Sequence, residues 1–337
     1  MKMGTITDGI TKNSSELESS PGTAPFPIHR LAFHGSGEDL FDIFIINLLK
    51  TIVTFGIYSF WAKVRTRQYL WSQSEFAGDR FGFHGTGREL FIGWFKAAVL
   101  FGGLVALTNL LPFLSDEPWL DVVSQLIFLG GFMALIPLAI IGSMRYRLSR
   151  TSWRGIRFTF RGRYQPFLRL WVRGLFLTGL SLGLYYPVYR TNTRRFLVEH
   201  TFFGSAPFRF NGNGGDLLVR FALTLLLTIP TLGLIWVWYA AHQRRYYWDH
   251  TSFAAARFHS TVTAGSLLGL YAVNLALIVI SLGLALPWAT VRTKRYDLEH
   301  LVLRGPVDLN HITQQAQTAT PVGEELADLF NMDALPG

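Results

Sequence analysis

A period of 50 residues runs through this chain, and whatever fold it adopts has to accommodate that period. Arg194-Arg195-Phe196-Leu197-Val198-Glu199-His200-Thr201 returns as Arg244-Arg245-Tyr246-Tyr247-Trp248-Asp249-His250-Thr251, and again as Lys294-Arg295-Tyr296-Asp297-Leu298-Glu299-His300. A weaker copy lies at Met144-Arg145-Tyr146-Arg147-Leu148-Ser149-Arg150-Thr151, and Val64-Arg65-Thr66-Arg67-Gln68-Tyr69 matches Val291-Arg292-Thr293-Lys294-Arg295-Tyr296. Five copies are visible, which makes each one a supersecondary unit that buries its apolar face by stacking on its neighbours. The units fall at about 31–80, 81–157, 158–207, 208–257 and 258–305. From Phe83 to Phe160 is 77 residues, so the second unit carries 27 more than the others, enough for one further crossing and a turn.

Each unit reads the same way physically. An alternating segment such as Arg80-Phe81-Gly82-Phe83-His84 or Arg157-Phe158-Thr159-Phe160-Arg161 has the period of two of a half-buried strand. A glycine turn follows, as in Phe33-His34-Gly35-Ser36-Gly37 and Phe83-His84-Gly85-Thr86-Gly87, and then a helix start such as Glu38-Asp39. These turns lack the Lys-Ser/Thr that completes a nucleotide-binding loop, so they are read as turn chemistry. An apolar helix comes next, then a break at Thr54-Phe55-Gly56-Ile57, Ser181-Leu182-Gly183-Leu184, Thr231-Leu232-Gly233-Leu234 or Ser281-Leu282-Gly283-Leu284. Trp61, Tyr189, Trp238 and Trp288 then stand where an interfacial aromatic belt belongs, ahead of the arginine-rich segment.

Composition settles the solvent. Only 16% of residues are charged and 50% are hydrophobic, against about 25% charged in soluble domains. Six apolar stretches, 40–62, 90–112, 120–144, 167–189, 217–240 and 266–290, each have the length of about 20 residues that a helix needs to cross a bilayer. The expected fold class is therefore mainly α: a polytopic α-helical membrane protein with about six hydrophobic helices, built from five repeats, with short strand-like segments between helices. The net charge of +9 divides into a neutral segment 1–30, a body of +14 at 31–305, and a tail of −5 at 306–337 that holds five acids and no Lys or Arg. Segment 1–30 is rich in Ser, Thr, Gly and Pro and reads as a disordered tail with no cleavable signal. Segment 306–337 reads as a solvated acidic tail, with a short amphipathic helix at 324–330 as the other reading. The chain has no cysteine, which removes disulfides, cysteine metal sites and thiol nucleophiles.

Topology stays open between two arrangements. Six simple crossings would leave Lys and Arg almost balanced between the two faces and put near-identical arginine segments on opposite sides. In the favoured alternative the four shorter units enter and return, the second unit makes a two-pass hairpin, and every basic segment faces one side, opposite Leu111-Pro112-Phe113-Leu114-Ser115-Asp116-Glu117-Pro118. The obstacle to it is that unpaired peptide groups inside a bilayer cost several kcal/mol each.

The glycine turns, the Thr54-Phe55-Gly56-Ile57-Tyr58 break and Trp61-Ala62-Lys63-Val64-Arg65-Thr66-Arg67 together resemble the YjgN-type family of bacterial inner-membrane proteins, whose function is unknown. The likeness covers roughly 31–305. It implies a multi-pass location in the bacterial plasma membrane and supplies no catalytic residues.

Candidate site residues come from the repeat. Arg195, Arg245 and Arg295, with Arg145, are read first as anchors to anionic lipid headgroups, and in a sharper form as lining a shared vestibule for an anionic ligand or lipid phosphate. The pairs Glu199-His200, Asp249-His250 and Glu299-His300 would form a metal site or proton relay if the units brought them together, and cap their own turns if not. Among polar residues in or near apolar stretches (Asn47, Lys96, Asn109, Asn274, Arg169, Arg173, Arg220), the arginines lie near the ends and snorkel, while Lys50 sits more centrally and is the best single candidate for a ligand pathway. No nucleophile and base stand at motif spacing, so no enzyme and no cofactor are expected. Membrane lipids are the expected partners, with anionic headgroups favoured; nucleic acid is not expected, and no protein partner is named. The functional expectation is a pseudo-symmetric bundle that binds or moves a small solute or lipid, or else a membrane scaffold that recruits a partner.

Overall fold

The computed structural model describes residues 28–110, 112 and 117–306. Along the chain, strands and helices alternate in pairs: β1 (Ile28–Phe33), α1 (Gly37–Val53), α2 (Ser59–Ser72), β2 (Ser74–Phe76), β3 (Asp79–Phe83), α3 (Gly87–Leu110), α4 (Pro118–Arg150), β4 (Thr151–Trp153) and β5 (Ile156–Phe160). The second half continues with α5 (Tyr164–Leu180), α6 (Tyr186–Glu199), β6 (Thr201–Phe203), β7 (Ala206–Phe210), α7 (Gly215–Leu227), α8 (Ile235–Asp249), β8 (Thr251–Phe253), β9 (Ala256–Ser260), α9 (Ala264–Ile280), α10 (Leu286–Glu299) and β10 (Leu301–Arg304).

The strands pair antiparallel, each with its neighbours, and close into a barrel in the order β1-β10-β9-β8-β7-β6-β5-β4-β3-β2. Two-residue turns such as Ala77-Gly78 and Arg154-Gly155 have positive φ at both positions, the geometry that matches strand twist in a tight hairpin. The seam is made by the two ends of the described chain, with Ile28 opposite Arg304 and Arg30 opposite Val302. Strands this short have little stability alone, and closure removes the edges that would otherwise seek partners. The interior is filled by aromatic side chains at alternate strand positions: Trp153, Phe203 and Phe253 are buried at its centre, with Phe76, Phe81, Phe158, Phe208 and Phe258 packed against them. Ring centroids come within 4.7 Å for Phe208 and Phe253 and 4.9 Å for Phe158 and Phe203, contacts that add about 0.5–1.5 kcal/mol each beyond area burial.

All ten helices lie on one side of this plug, in five hairpins, and each helix packs on its neighbours in sequence until α10 returns to α1. In four of the hairpins the chain reverses at a left-handed pair, Phe55-Gly56, Leu182-Gly183, Leu232-Gly233 and Leu282-Gly283, with φ near +50° at the large residue and +83° to +92° at the glycine. The amide N–H groups of Gly56, Gly183, Gly233 and Gly283 donate to the carbonyls of Thr51, Thr178, Thr228 and Ile278 at 2.7–2.8 Å, while those of the preceding residues donate to Ile52, Gly179, Ile229 and Val279. This is the Schellman arrangement, which satisfies the last carbonyls of a helix. The return helix is tied down as well: Thr54, Ser181 and Ser281 hydroxyls accept from the N–H groups of Tyr58, Tyr185 and Ala285 at 2.8–2.9 Å. The peptide groups that make a broken helix expensive in lipid therefore have partners within the turn itself.

The expected fold class is corrected on two counts. The strand-like segments are ten strands of a closed barrel rather than connections between helices. In place of about six crossing helices, two among the described residues, Gly87–Leu110 and Trp119–Arg150, are long and apolar enough to cross a membrane. The physical reason is the Schellman turn: apolar side chains continue through Thr-Leu-Gly-Leu, so hydropathy runs on while the backbone reverses. The stretch 167–189 is thereby divided between α5 and α6, and 266–290 between α9 and α10. At 1.5 Å per residue the 17 residues of α1, α5 or α9 span about 26 Å and the 24 of α3 about 36 Å, against a hydrocarbon core of about 30 Å. Residues 1–27 and 307–337, and most of the connection at 111–118, lie outside the described residues; residues 28–30, placed by sequence in the N-terminal tail, begin β1.

Candidate functional site

Three of the four expected ligand arginines hold the ring together instead. Arg145 donates to the Gly162 carbonyl at 3.0 Å, Arg195 to Gly212 at 2.6 Å, and Arg295 to Gly35 at 2.9 Å. Each reaches from the second helix of one hairpin to the strand–helix turn of the next, and Arg295 closes the circle by reaching the first. Gln68 does the same more weakly, to Gly85 at 3.3 Å. The acceptor turn is tight: a Cβ on Gly162 would lie 2.4 Å from the Phe160 ring. At the fifth turn the glycine is replaced by Val262, buried to 4%, and Arg245 makes no such bond.

The histidines do not converge. The Nδ1 atoms of His200, His250 and His300 lie 2.7, 2.8 and 2.9 Å from the carbonyls of Phe196, Tyr246 and Tyr296, one turn back on the same helix. A carbonyl only accepts, so Nδ1 carries the proton in each case. The rings also lie against those same aromatics, with centroids at 4.2, 4.1 and 4.1 Å, the first pair stacked and the other two tilted. Among the described residues no group of three or more His, Asp or Glu is placed to hold a metal. Lys50 stands in the last turn of α1, exposed, with its ammonium 5.4 Å from the Tyr58 ring centre. Asn47, one turn earlier, is 4% exposed with neither amide atom bonded.

Sequence reasoning missed the arginine beside the one it chose. Arg194 is 8% exposed, and its guanidinium lies 5.0 Å from the ring centres of both Tyr247 and Trp248 on the next hairpin. Burial lowers its pKa to about 10, which leaves it charged at neutral pH. Arg244, at the same place in the next repeat, bonds Asp297 at 2.9 Å and the Tyr271 hydroxyl at 3.0 Å. Burial raises the Asp297 pKa, and Arg244 and Lys294 work against it. The available signal was neighbouring position: Arg194 and Arg244 face the adjacent hairpin, while Arg145, Arg195 and Arg295 face the turn.

The fourth hairpin differs from the rest. Leu223, Thr224 and Leu227 of α7, the reversal from Pro230 to Ile235, and Trp238 of α8 line an apolar groove of about 700 Å³. At the end nearer the barrel the Arg220 guanidinium meets His242 Nε2. Burial lowers the His242 pKa, and the charges of Arg220 and Arg245 lower it further. Trp238, His242 and Arg245 share one stripe of α8, and the Trp238 and His242 rings stack at 6.1 Å.

Four tips are the most exposed large apolar side chains of the described structure: Phe55 at 98%, Leu282 at 94%, and Leu182 and Leu232 at 93%. Each occupies the left-handed position, which costs roughly 1–2 kcal/mol for a residue with a Cβ. In water this arrangement would carry that strain and expose a large hydrophobe as well; in hydrocarbon the exposure is favourable.

The family of bacterial proteins of unknown function designated DUF898 matches residues 28–235 and 218–329. The inner membrane protein YjgN of Escherichia coli (strain K12) is 35% identical over 134 residues, covering 40% of this chain and 31% of that protein. Its counterpart in Salmonella typhimurium is 30% identical over 132 residues, with 39% and 31% covered. The match thus spans less than a third of the length of these relatives. No solved structure matches.

Proposed function

We propose, for a chain that belongs to the DUF898 family of bacterial proteins of unknown function, a non-catalytic inner-membrane protein that enters the bilayer from one face and binds the lipid of that leaflet. The four left-handed tips, each offering a Phe or Leu at least 93% exposed, carry this reading. Related proteins named as inner membrane proteins support the location. In this arrangement α3 and α4 cross and return, the four shorter hairpins dip into the hydrocarbon, and the barrel stands in the cytoplasm with the arginine-rich ends of the helices at headgroup level. The arginine-rich segments then gather on the cytoplasmic face, as membrane insertion favours, with Lys50, near the Phe55 tip, as an exception. The aromatic filling of the barrel weighs against a solute path along its axis.

Because the chain has no cysteine, single cysteines report cleanly. An impermeant maleimide is expected to label Gly155→Cys and Ala255→Cys at the barrel end from the cytoplasmic side alone, and Leu182→Cys and Leu282→Cys from neither side. Labelling of the tips from the periplasm would sink the one-sided arrangement.

A second reading, a scaffold for an acidic partner, draws on the outer barrel wall. Arg209 pairs across to Ser252, Ser252 to Arg257, and Arg257 to Arg304, so exposed arginines stand side by side with no acid paired to them among the described residues. Loss of partner recruitment in Arg257→Glu, with lipid binding intact, is the outcome that favours it.

A further inference from the structure

We propose that the fourth hairpin, α7 and α8, holds one anionic diacyl phospholipid, its phosphate between Arg220, His242 and Arg245 and one acyl chain in the groove running toward the tip. This rests on the one-sided membrane reading, which puts the groove in hydrocarbon and its barrel end at the headgroups.

Three observations meet here. The groove is lined by Leu223, Leu227, Leu232, Leu234 and Trp238 among others and is open on one side, with a volume of about 700 Å³, within the roughly 300–1,000 Å³ of small-molecule sites. Its barrel end carries cations without a counter-ion. No described acid pairs with Arg220 or Arg245, and Asp249, on the same stripe of α8, is already engaged by His259 at 2.9 Å and by the Ser260 amide at 3.0 Å. Arg220 and His242 sit in contact, Arg245 follows one turn along the same stripe of α8, and basic groups gathered in this way gain most from a bound anion.

The third observation is that Arg245 is available. Its equivalents Arg145, Arg195 and Arg295 spend their guanidinium groups on the glycine carbonyl of the next turn, whereas Arg245 makes no such bond to the fifth turn, where buried Val262 stands in the glycine's place. The pair is also particular to this hairpin. Where it has Arg220, the other units have Ile43, Gly93, Leu170 and Leu270; where it has His242, they have Arg65, Gly142, Asn192 and Arg292. Depth agrees as well. Arg220 stands about 10 Å up the helix axis from Leu227 at 1.5 Å per residue, a separation that fits a phosphate above the first part of an acyl chain.

The test counts lipid retained by the full chain in detergent, by native mass spectrometry, after incubation with phosphatidylglycerol, phosphatidylcholine or inorganic phosphate. The expected result is one phosphatidylglycerol retained, at least tenfold more tightly than phosphatidylcholine, and no comparable retention of phosphate. R220Q/R245Q is expected to weaken retention at least tenfold, R220K/R245K to restore most of it, and L227W to lose it by filling the groove with the cations intact. Unchanged retention in R220Q/R245Q, or phosphate bound as well as the lipid, overturns the proposal. Recovery in the lysine variant separates a lost site from a misfolded chain. If the tips stay protected from maleimide while phosphatidylglycerol is not retained, the site alone fails; if the tips react from the periplasm, the reading beneath it fails.

Discussion

The second helical hairpin and the other four leave the barrel from the same kind of strand and return to the same kind of strand, yet in the proposed arrangement they meet the membrane differently. α3 and α4 have 24 and 33 residues, and their connection carries Asp116 and Glu117, residues suited to water. The shorter hairpins reverse at Phe55, Leu182, Leu232 and Leu282, residues suited to hydrocarbon. Helix length and tip chemistry therefore change together. The proposed arrangement follows this pairing: the long hairpin, with a polar connection, emerges into water, and the short ones, whose apolar tips satisfy their own backbone, stop inside lipid.

Charge placed at the tips should break this contrast most severely. L182D/L232D/L282D is expected to cost about 2.5–3.5 kcal/mol per site if the tips lie near the bilayer centre, enough to abolish membrane assembly, read as the fraction resisting alkaline extraction. Leu114→Asp, beside the existing Asp116 and Glu117, is expected to leave that fraction unchanged. An equal loss in both would erase the distinction between the two kinds of hairpin.

Next in size comes ring closure, which the five hairpins share. Arg295→Ala removes a charged hydrogen bond to Gly35, worth about 1.5–3 kcal/mol, and should lower the thermal midpoint in detergent. Arg195→Gln should cost less, because Gln68 already plays this part in the first unit. A smaller effect tests the strain. Leu232→Gly relieves a left-handed residue and should gain about 1 kcal/mol of stability in detergent, while bilayer partitioning weakens through loss of an apolar side chain. Gains in both would mean that the exposed leucine serves no purpose in lipid.

The smallest effect is on pH. The folded His242 pKa lies below its ordinary value of 6.5, so the folded state binds protons less readily than the unfolded one. Stability should fall as pH drops from about 6.5 through the lowered value, and be level above it. Arg220→Gln removes one of the causes and should shrink this slope in a pH series of thermal midpoints.

Much of the period was legible in the sequence, because residues 194–201, 244–251 and 294–300 repeat nearly side chain for side chain. The extra 27 residues fall where the two long helices lie. Crossing number was not legible: Ser181-Leu182-Gly183-Leu184 reads as apolar continuation, and only the backbone φ of Leu182 shows the reversal. Barrel closure was hidden too, since strands of three to six residues pair with partners far away in sequence, as Ile28 does with Arg304. At the site, repetition marked Arg145, Arg195, Arg245 and Arg295 but could not separate them. What separates Arg245 is the absence of a bond to the following turn, where Val262 stands in place of glycine.

Nitroxide labels on single cysteines measure how deep the tips lie. In reconstituted bilayers, labels at positions 55, 182, 232 and 282 should collide readily with oxygen and barely with a water-soluble nickel chelate, while labels at 155 and 255 show the reverse. Nickel-accessible tips would overturn the one-sided arrangement, since the four short hairpins would then stand in water or emerge on the far side.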